Sequence, residues 1–179
     1  MYRKEMLNHY IRLFVVTTVL ILLQAVLLNH LRLFHYFLPI IYLYGFLKMP
    51  YQAQRSTLIL SAAAVGFVLD LLMDTPGLNM AASTLTIYLR PTIFRKMTTV
   101  ETIEDSDEAL TPSARTIKFF PYLGYLLTLT LIHATTIMLL EALSVRLFVG
   151  VIPYILGTTV FSTALYLLFD ALNFWKRDS

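Results

Sequence analysis

The sequence lacks cysteine and has few charged residues, and each shortage excludes a class of protein. Without cysteine, the chain can form neither a disulfide bond nor a thiolate metal site. Charged residues make up only 14% of the chain and hydrophobic residues 58%, whereas about 25% of a typical soluble domain is charged. The net charge of +3 comes from basic residues spread along the chain, not from one basic patch. The composition therefore excludes an ordinary soluble domain and argues against a nucleic-acid-binding protein.

Sequence patterns for enzymes and metal sites are also missing. The chain contains no His-Glu-x-x-His motif, no Gly-x-Ser-x-Gly motif and no glycine-rich phosphate loop with a lysine. Its four histidines, His9, His30, His35 and His133, do not have the spacing of metal ligands on one helix. We therefore expect no enzymatic activity, no metal and no cofactor.

What the chain does contain is apolar stretches, which predict an all-α polytopic membrane protein with six transmembrane helices. A crossing needs about 20 mostly apolar residues. The predicted crossings are residues 13–31, 34–47, 56–73, 79–88 or slightly beyond, 119–140 and 151–175. They form a single transmembrane domain over residues 1–179, with a cytoplasmic linker at about 95–118.

The distribution of lysine and arginine predicts the orientation of these crossings. With the N-terminus inside, twelve of the fourteen Lys and Arg residues lie on the cytoplasmic side, and only Arg32 and Arg146 lie outside. Cytoplasmic loops are enriched in these residues. Both termini are therefore expected in the cytoplasm.

The second crossing is the weakest of the six. Its fourteen residues, 34–47, include Pro39, and a helix of that length spans only about 21 Å. It is either a short crossing or a re-entrant segment. The charge distribution favours a crossing, because a re-entrant segment would place the basic residues that follow on the outside.

The third and fourth crossings are predicted to form a tightly packed hairpin. Small residues precede Gly66, and such residues let helices approach closely in a membrane. A turn follows at residues 74–78, in which Gly77 can take a positive φ and after which Asn79 can cap the fourth helix. We expect Pro91 to end or kink that helix.

Polar residues within the crossings are candidate sites, because ionisable groups are costly in a membrane. Asp70 and His133 each lie fourteen residues into a crossing, so a buried Asp70–His133 pair is one arrangement. In the alternative, Asp70 reaches the outer water or caps a neighbouring helix. Asp70 and Asp74 together are only a weak signal for a membrane aspartyl protease.

Other polar residues fall into two predicted layers and one acidic segment. The outer layer is His30, Arg32, Asp70, Asp74, Glu141 and Arg146, and the inner layer is Arg90, Asp170 and Lys176. These layers anchor and pair structural elements, or the outer one contacts a partner. The acidic segment 101–108 is either solvated linker or a docking surface for a cytoplasmic partner.

Several of these motifs resemble the MreD family of bacterial rod shape-determining membrane proteins. The pattern Gly66-x-x-x-Asp70 is followed by a turn containing Gly77, and a small-residue helix then reaches Tyr88-Leu89-Arg90-Pro91. Earlier matches are Leu27-Leu28-Asn29, Leu38-Pro39 and Lys48-Met49-Pro50. The acidic segment 101–108 departs from the shorter loop expected of that family.

The resemblance implies a non-enzymatic scaffold of the cell-elongation and peptidoglycan-synthesis machinery in the bacterial inner membrane. It implies direct binding of the bitopic protein MreC, and a complex with MreB, RodA and a class B penicillin-binding protein, and it leaves a homo-oligomer open. It also implies a fold similar to the substrate-binding subunits of energy-coupling-factor transporters. The hairpin is the expected partner-binding or structural site, through Gly66, Asp70, Asp74, Gly77 and Asn79.

Two other functions remain as alternatives from the sequence. A subunit that binds or transports a small, vitamin-like solute would need a polar cavity, lined by Asn29, Asp70 and His133. An intramembrane hydrolase would depend on Asp70.

Overall fold

In a computed structural model of the chain, the described residues are 19–21, 23–24, 39–99, 110–142 and 145–172. They form α-helices and connecting segments, and this part of the chain contains no strand. The helices with defined bounds are α1 (Leu43–Leu47), α2 (Arg55–Met73), α3 (Leu78–Met97), α4 (Phe119–Ala142) and α5 (Val145–Ala171). Residues 19–21 and 23–24 are also helical.

Within the described residues, three helices are long and apolar enough to cross a membrane. They are α2, α4 and the part of α5 from Gly150 to Ala171. Less than half of each apolar window is buried inside the protein, and the remaining residues are partly or fully exposed at its surface. The all-helical class and the membrane character are thereby supported, whereas six crossings and their orientation stay predictions.

The long helices pack as successive antiparallel neighbours. Helix α3 lies between α2 and α4, and α5 packs against α4. The short helix α1 also contacts α3. All five residues of α1 are buried, so the segment that was predicted as a second crossing contains, among its described residues, a single helical turn enclosed by protein.

The bounds of α2 and α4 agree closely with the sequence prediction, but those of α3 do not. Helix α3 continues through Pro91 to Met97, where the prediction ended near Tyr88. Proline removes one helical hydrogen bond, but membrane helices tolerate it when packing supports the following turn. Here Phe94, which is 1% exposed, holds that turn in the core.

The start of α3 also differs from the prediction. Gly77 is the N-cap residue, with φ of 77°. Glycine was expected to take a positive φ at this position. Asn79 lies inside the first turn and is not the cap.

The predicted cytoplasmic linker contacts the rest of the protein at Leu110. Leu110 is buried, its carbonyl accepts a hydrogen bond from the Tyr51 amide at 2.9 Å, and its amide donates to the Gln52 side chain at 2.8 Å. The acidic segment 101–108 lies outside the described residues. The linker therefore contains at least one fixed attachment, beside the start of α2.

Candidate functional site

Asp70 joins α2 to the start of α3, and we call this group with Thr75, Asn79 and Met80 the hairpin cap. The Asp70 Oδ1 atom accepts hydrogen bonds from the Asn79 amide at 2.9 Å, the Asn79 side chain at 3.0 Å and the Thr75 hydroxyl at 2.6 Å. Its Oδ2 atom accepts from the Met80 amide at 2.9 Å. Helices begin with unpaired N–H groups that a carboxylate can satisfy. Asp70 therefore caps the next helix, which was one of the arrangements considered for it.

Gly66 sets how closely the two helices of this hairpin approach. A Cβ atom at Gly66 would lie 2.5 Å from the Met80 Cα and 2.6 Å from the Asn79 carbonyl oxygen. Both contacts are backbone atoms, so a larger residue would force the helices apart. The predicted close packing at Gly66 is confirmed.

Asp74 does not join the hairpin cap. It ends α2 in a left-handed conformation with φ of 53°, and its side chain is exposed. The helix stops before Asp74 can share a face with Asp70. The pair consequently does not form the two-aspartate arrangement of a protease.

His133 lies in the middle of the protein within the histidine cluster, which comprises Tyr42, Ser83, Thr86 and His133. The Tyr42 hydroxyl lies 2.9 Å from His133 Nε2 and 2.9 Å from the Ser83 hydroxyl. Thr86 Oγ1 lies 3.3 Å from His133 Nδ1. His133 is fully buried.

The Asp70–His133 pair considered from the sequence is therefore wrong. The Asp70 oxygens bond to the turn and the start of α3, whereas the His133 nitrogens bond to Tyr42 and Thr86. Similar depth in two helices does not bring side chains together. Tyr42, from the short buried segment before α1, is the partner of His133 where the prediction had placed Asp70.

Lys48, which is buried, forms an ion pair with the partly buried Asp170, and the sequence did not predict this pair. The Lys48 Nζ atom lies 2.8 Å from Asp170 Oδ1, and the two side chains are 3% and 22% exposed. Tyr44 donates to Asp170 at 2.6 Å, Tyr122 donates to its other oxygen, and Lys48 donates to the Tyr122 hydroxyl at 3.2 Å. We call these four residues the ion-pair cluster.

Burial and the Asp170 carboxylate shift the pKa of Lys48 in opposite directions. Burial lowers the pKa of the Lys48 ammonium from its ordinary value, and the Asp170 carboxylate offsets part of that change. A sequence signal for this cluster existed, because Asp170 is an acid within the last predicted crossing and so requires a partner. Lys48 was placed in a cytoplasmic loop, and its partner lies 122 positions away.

Arg90 is the second buried cation. It is 3% exposed, donates from Nε to the Tyr125 hydroxyl at 3.0 Å, and donates from Nη2 to the Met49 carbonyl. The Tyr125 hydroxyl in turn donates to the Leu47 carbonyl at 2.9 Å. Arg90 and Asp170 each bond to structural partners, which is one of the two roles considered for the predicted polar layers. Lys176 lies outside the described residues.

The backbone around α1 depends on these side chains. The Ile40 amide donates to Ser162 at 2.9 Å, its carbonyl accepts from Tyr166, and the Ile41 amide donates to Gln24 at 2.8 Å. Irregular backbone at membrane depth is tolerated only when it is buried in protein and its polar groups are satisfied. The polar interior therefore serves to hold the α1 segment inside the helices.

One outward face of α3 carries a shallow, open apolar depression, which we call the α3 groove. It has a volume of about 430 Å³ and is lined by Gly77, Met80, Ala81, Thr84, Leu85 and Tyr88. These positions recur at intervals of three and four residues, so they form one stripe along the helix. The Thr84 hydroxyl donates to the Met80 carbonyl at 2.7 Å, so its donor is satisfied within α3.

Several sequence-predicted polar residues cannot be placed. Asn29, His30, Arg32 and Lys176 lie outside the described residues, and the Arg146 side chain does too. Within the described ranges, no group of three His, Asp or Glu residues is arranged to bind a metal ion.

Comparison with known proteins identifies no relative. No family model, curated protein or solved structure matches this chain. The resemblance to the MreD family, and the similarity to energy-coupling-factor subunits that it implies, therefore rest on the sequence motifs alone.

Proposed function

We propose that this protein is a non-enzymatic scaffold of the MreD kind in the bacterial inner membrane. In this proposal it binds MreC directly and takes part, through MreC, in a complex with MreB, RodA and a class B penicillin-binding protein. Its six crossings place both termini in the cytoplasm. The three apolar helices and the motifs around the hairpin support this assignment.

The observation that carries the proposal is the α3 groove. Helices associate in lipid through close packing at small residues, and Gly77 and Ala81 lie one turn apart in the groove. The stripe from Gly77 to Tyr88 is about 17 Å long at 1.5 Å per residue, which is long enough to receive several turns of a partner helix. The single membrane helix of a bitopic protein is the occupant that we propose.

The hairpin cap and Gly66 give this groove a rigid support. They fix α3 against α2, so the outward face keeps its shape without a partner. This changes the expected roles of the predicted hairpin residues. Gly66, Asp70 and Asn79 shape the hairpin from within, and Gly77 lines the surface on which a partner would bind.

Asp70 and His133 do not line a common cavity, which the solute-binding alternative requires. Asp70 and His133, which were to line its cavity, are bonded to residues of the same chain. Neither of them lines the α3 groove.

The test enlarges one residue in the groove and a matched one elsewhere. Ala81 is exposed in the α3 groove, and Ala64 is exposed on α2 outside it. We expect Ala81→Leu to fill the groove and reduce the MreC that co-purifies with the tagged protein from membranes containing both. Ala64→Leu adds the same volume on another lipid-facing surface and should leave the recovery unchanged.

Gly66→Leu is a poor test of partner binding, because it would separate the helices that support the groove. If MreC fails to co-purify with the unaltered protein, the proposed function is wrong. If MreC is recovered equally with Ala81→Leu and with the unaltered protein, the partner does not use the α3 groove.

A further inference from the structure

A second concave surface lies beside the start of α2 and contains two arginines. This arginine pocket has a volume of about 170 Å³, and Arg55, Arg90 and Tyr51 line it together with uncharged neighbours that include Leu58 and Ile87. None of its lining residues is acidic. The pocket therefore combines concentrated positive charge with an apolar wall.

The charge of Arg90 is not balanced by any described residue. Asp170 is paired with Lys48, and no carboxylate of the described residues lies within ion-pair distance of Arg90 or Arg55. The two bonds that Arg90 makes are to a hydroxyl and a carbonyl, which satisfy donors but do not supply negative charge. Because a buried charge without a counter-charge is strongly unfavourable, the pocket should attract an anion.

The guanidinium groups retain donors for such an anion. A guanidinium has five N–H donors, of which Arg90 uses one on Tyr125 and one on Met49. Arg55 donates to the Tyr88 carbonyl at 3.1 Å and lies 4.4 Å from the centre of the Tyr88 ring. That contact holds Arg55 at the edge of the pocket, so both guanidinium groups line the pocket with donors left for a phosphate or carboxylate.

The position of the pocket indicates that the anion belongs to a lipid. Arg55 is the first residue of α2, which is apolar enough to span a membrane. At the same end, α4 begins with the exposed aromatic residues Phe119 and Phe120, as is usual at a membrane interface. Basic pockets between helices at this level bind anionic lipid headgroups.

We propose that the arginine pocket binds the phosphate of an anionic phospholipid headgroup. Arg90 supplies the buried positive charge, and Arg55 lies over the exposed side of the pocket. Leu58 and Ile87 form the apolar wall against which the uncharged part of the lipid would lie. Lipid binding needs no partner protein, so it can hold whether or not MreC binds.

The purified full-length protein in detergent would be titrated with phosphatidylglycerol, phosphatidylcholine or inorganic phosphate, and bound molecules counted by native mass spectrometry. We expect phosphatidylglycerol to bind more tightly than phosphatidylcholine, whose choline balances the phosphate. Arg55→Gln should weaken that binding about fivefold, the factor for about 1 kcal/mol from one lost hydrogen bond to the phosphate. Arg90→Gln should weaken phosphatidylglycerol binding more than Arg55→Gln does. If the Arg90 variant does not fold, the result for Arg55→Gln alone tests the proposal.

Arg95→Gln is the control. Arg95 is an exposed cation on α3, the helix that carries Arg90, and it does not line the pocket. It should leave phosphatidylglycerol binding within twofold, a limit of roughly 0.4 kcal/mol. Equal binding of the two lipids, or equal weakening by Arg95→Gln and Arg55→Gln, would overturn the proposal. Inorganic phosphate that binds as tightly as phosphatidylglycerol would also overturn it, by assigning the pocket to a soluble ligand.

Discussion

The strongest prediction concerns Asp70, whose carboxylate accepts hydrogen bonds from two backbone amides at the start of α3. Asp70→Ala removes the acceptor for the Asn79 and Met80 amides and for the Asn79 side chain. Loss of a helix cap costs about 0.5–2 kcal/mol, and a buried polar group left unpaired costs about 1–3 kcal/mol. Asn79 is 7% exposed, whereas Met80 is 41% exposed and its amide can reach solvent. We therefore expect a loss of about 2–4 kcal/mol in the free energy of unfolding.

Asp70→Asn is a more selective change at the same position. Its carbonyl oxygen can replace Oδ1, but its amide group would face the Met80 amide, so that one donor meets another. The remaining bonds also lose the contribution of the negative charge. We expect Asp70→Asn to lower the free energy of unfolding by about 1–3 kcal/mol, which is less than the loss expected for Asp70→Ala.

The assay is reversible unfolding in mixed detergent micelles, followed by circular dichroism. Asp74→Asn is the matched control, because Asp74 is exposed and lies only four residues away; surface changes of this kind stay within about 0.5 kcal/mol. Hydrogen exchange at the amides of Asn79 and Met80 gives a local measurement, in which protection should fall in both Asp70 variants. If Asp70→Asn is as harmless as Asp74→Asn, the capping role assigned to Asp70 is wrong.

Two further predictions concern packing and the buried ion pair. Gly66→Ala should lower the free energy of unfolding by about 1–3 kcal/mol, the usual cost of overpacking. Gly150→Ala is the control and should not lower it, because a Cβ atom there meets no atom within 4 Å. Equal stability of the two variants in the same unfolding assay would contradict the close approach at Gly66. Lys48→Met should cost about 3 kcal/mol by leaving the Asp170 carboxylate without its counter-charge, and the double variant Lys48→Met/Asp170→Leu should recover part of this loss. A double variant as unstable as the sum of the two single variants would show that the pair is not coupled.

The amino-acid sequence by itself determined the long apolar helices. Helix α2 was predicted at residues 56–73 and is found at Arg55–Met73, and α4 was predicted at 119–140 and is found at Phe119–Ala142. These bounds are readable because each apolar run ends at residues that disfavour burial or helix. Gly66 and Gly77 were likewise readable, since close helix approach and positive φ both select glycine.

Only the tertiary structure decided which polar side chains meet. Lys48 with Asp170, and His133 with Tyr42, are joined across 122 and 91 positions of the chain. Such pairs depend on how each helix is rotated about its axis and on the depth at which the α1 segment enters the bundle. Neither quantity is encoded in the hydropathy of a single helix, because an apolar helix in lipid has no strongly polar face to set its rotation. The buried hydroxyls and charges that fix the rotation become recognisable only when the helices are packed together.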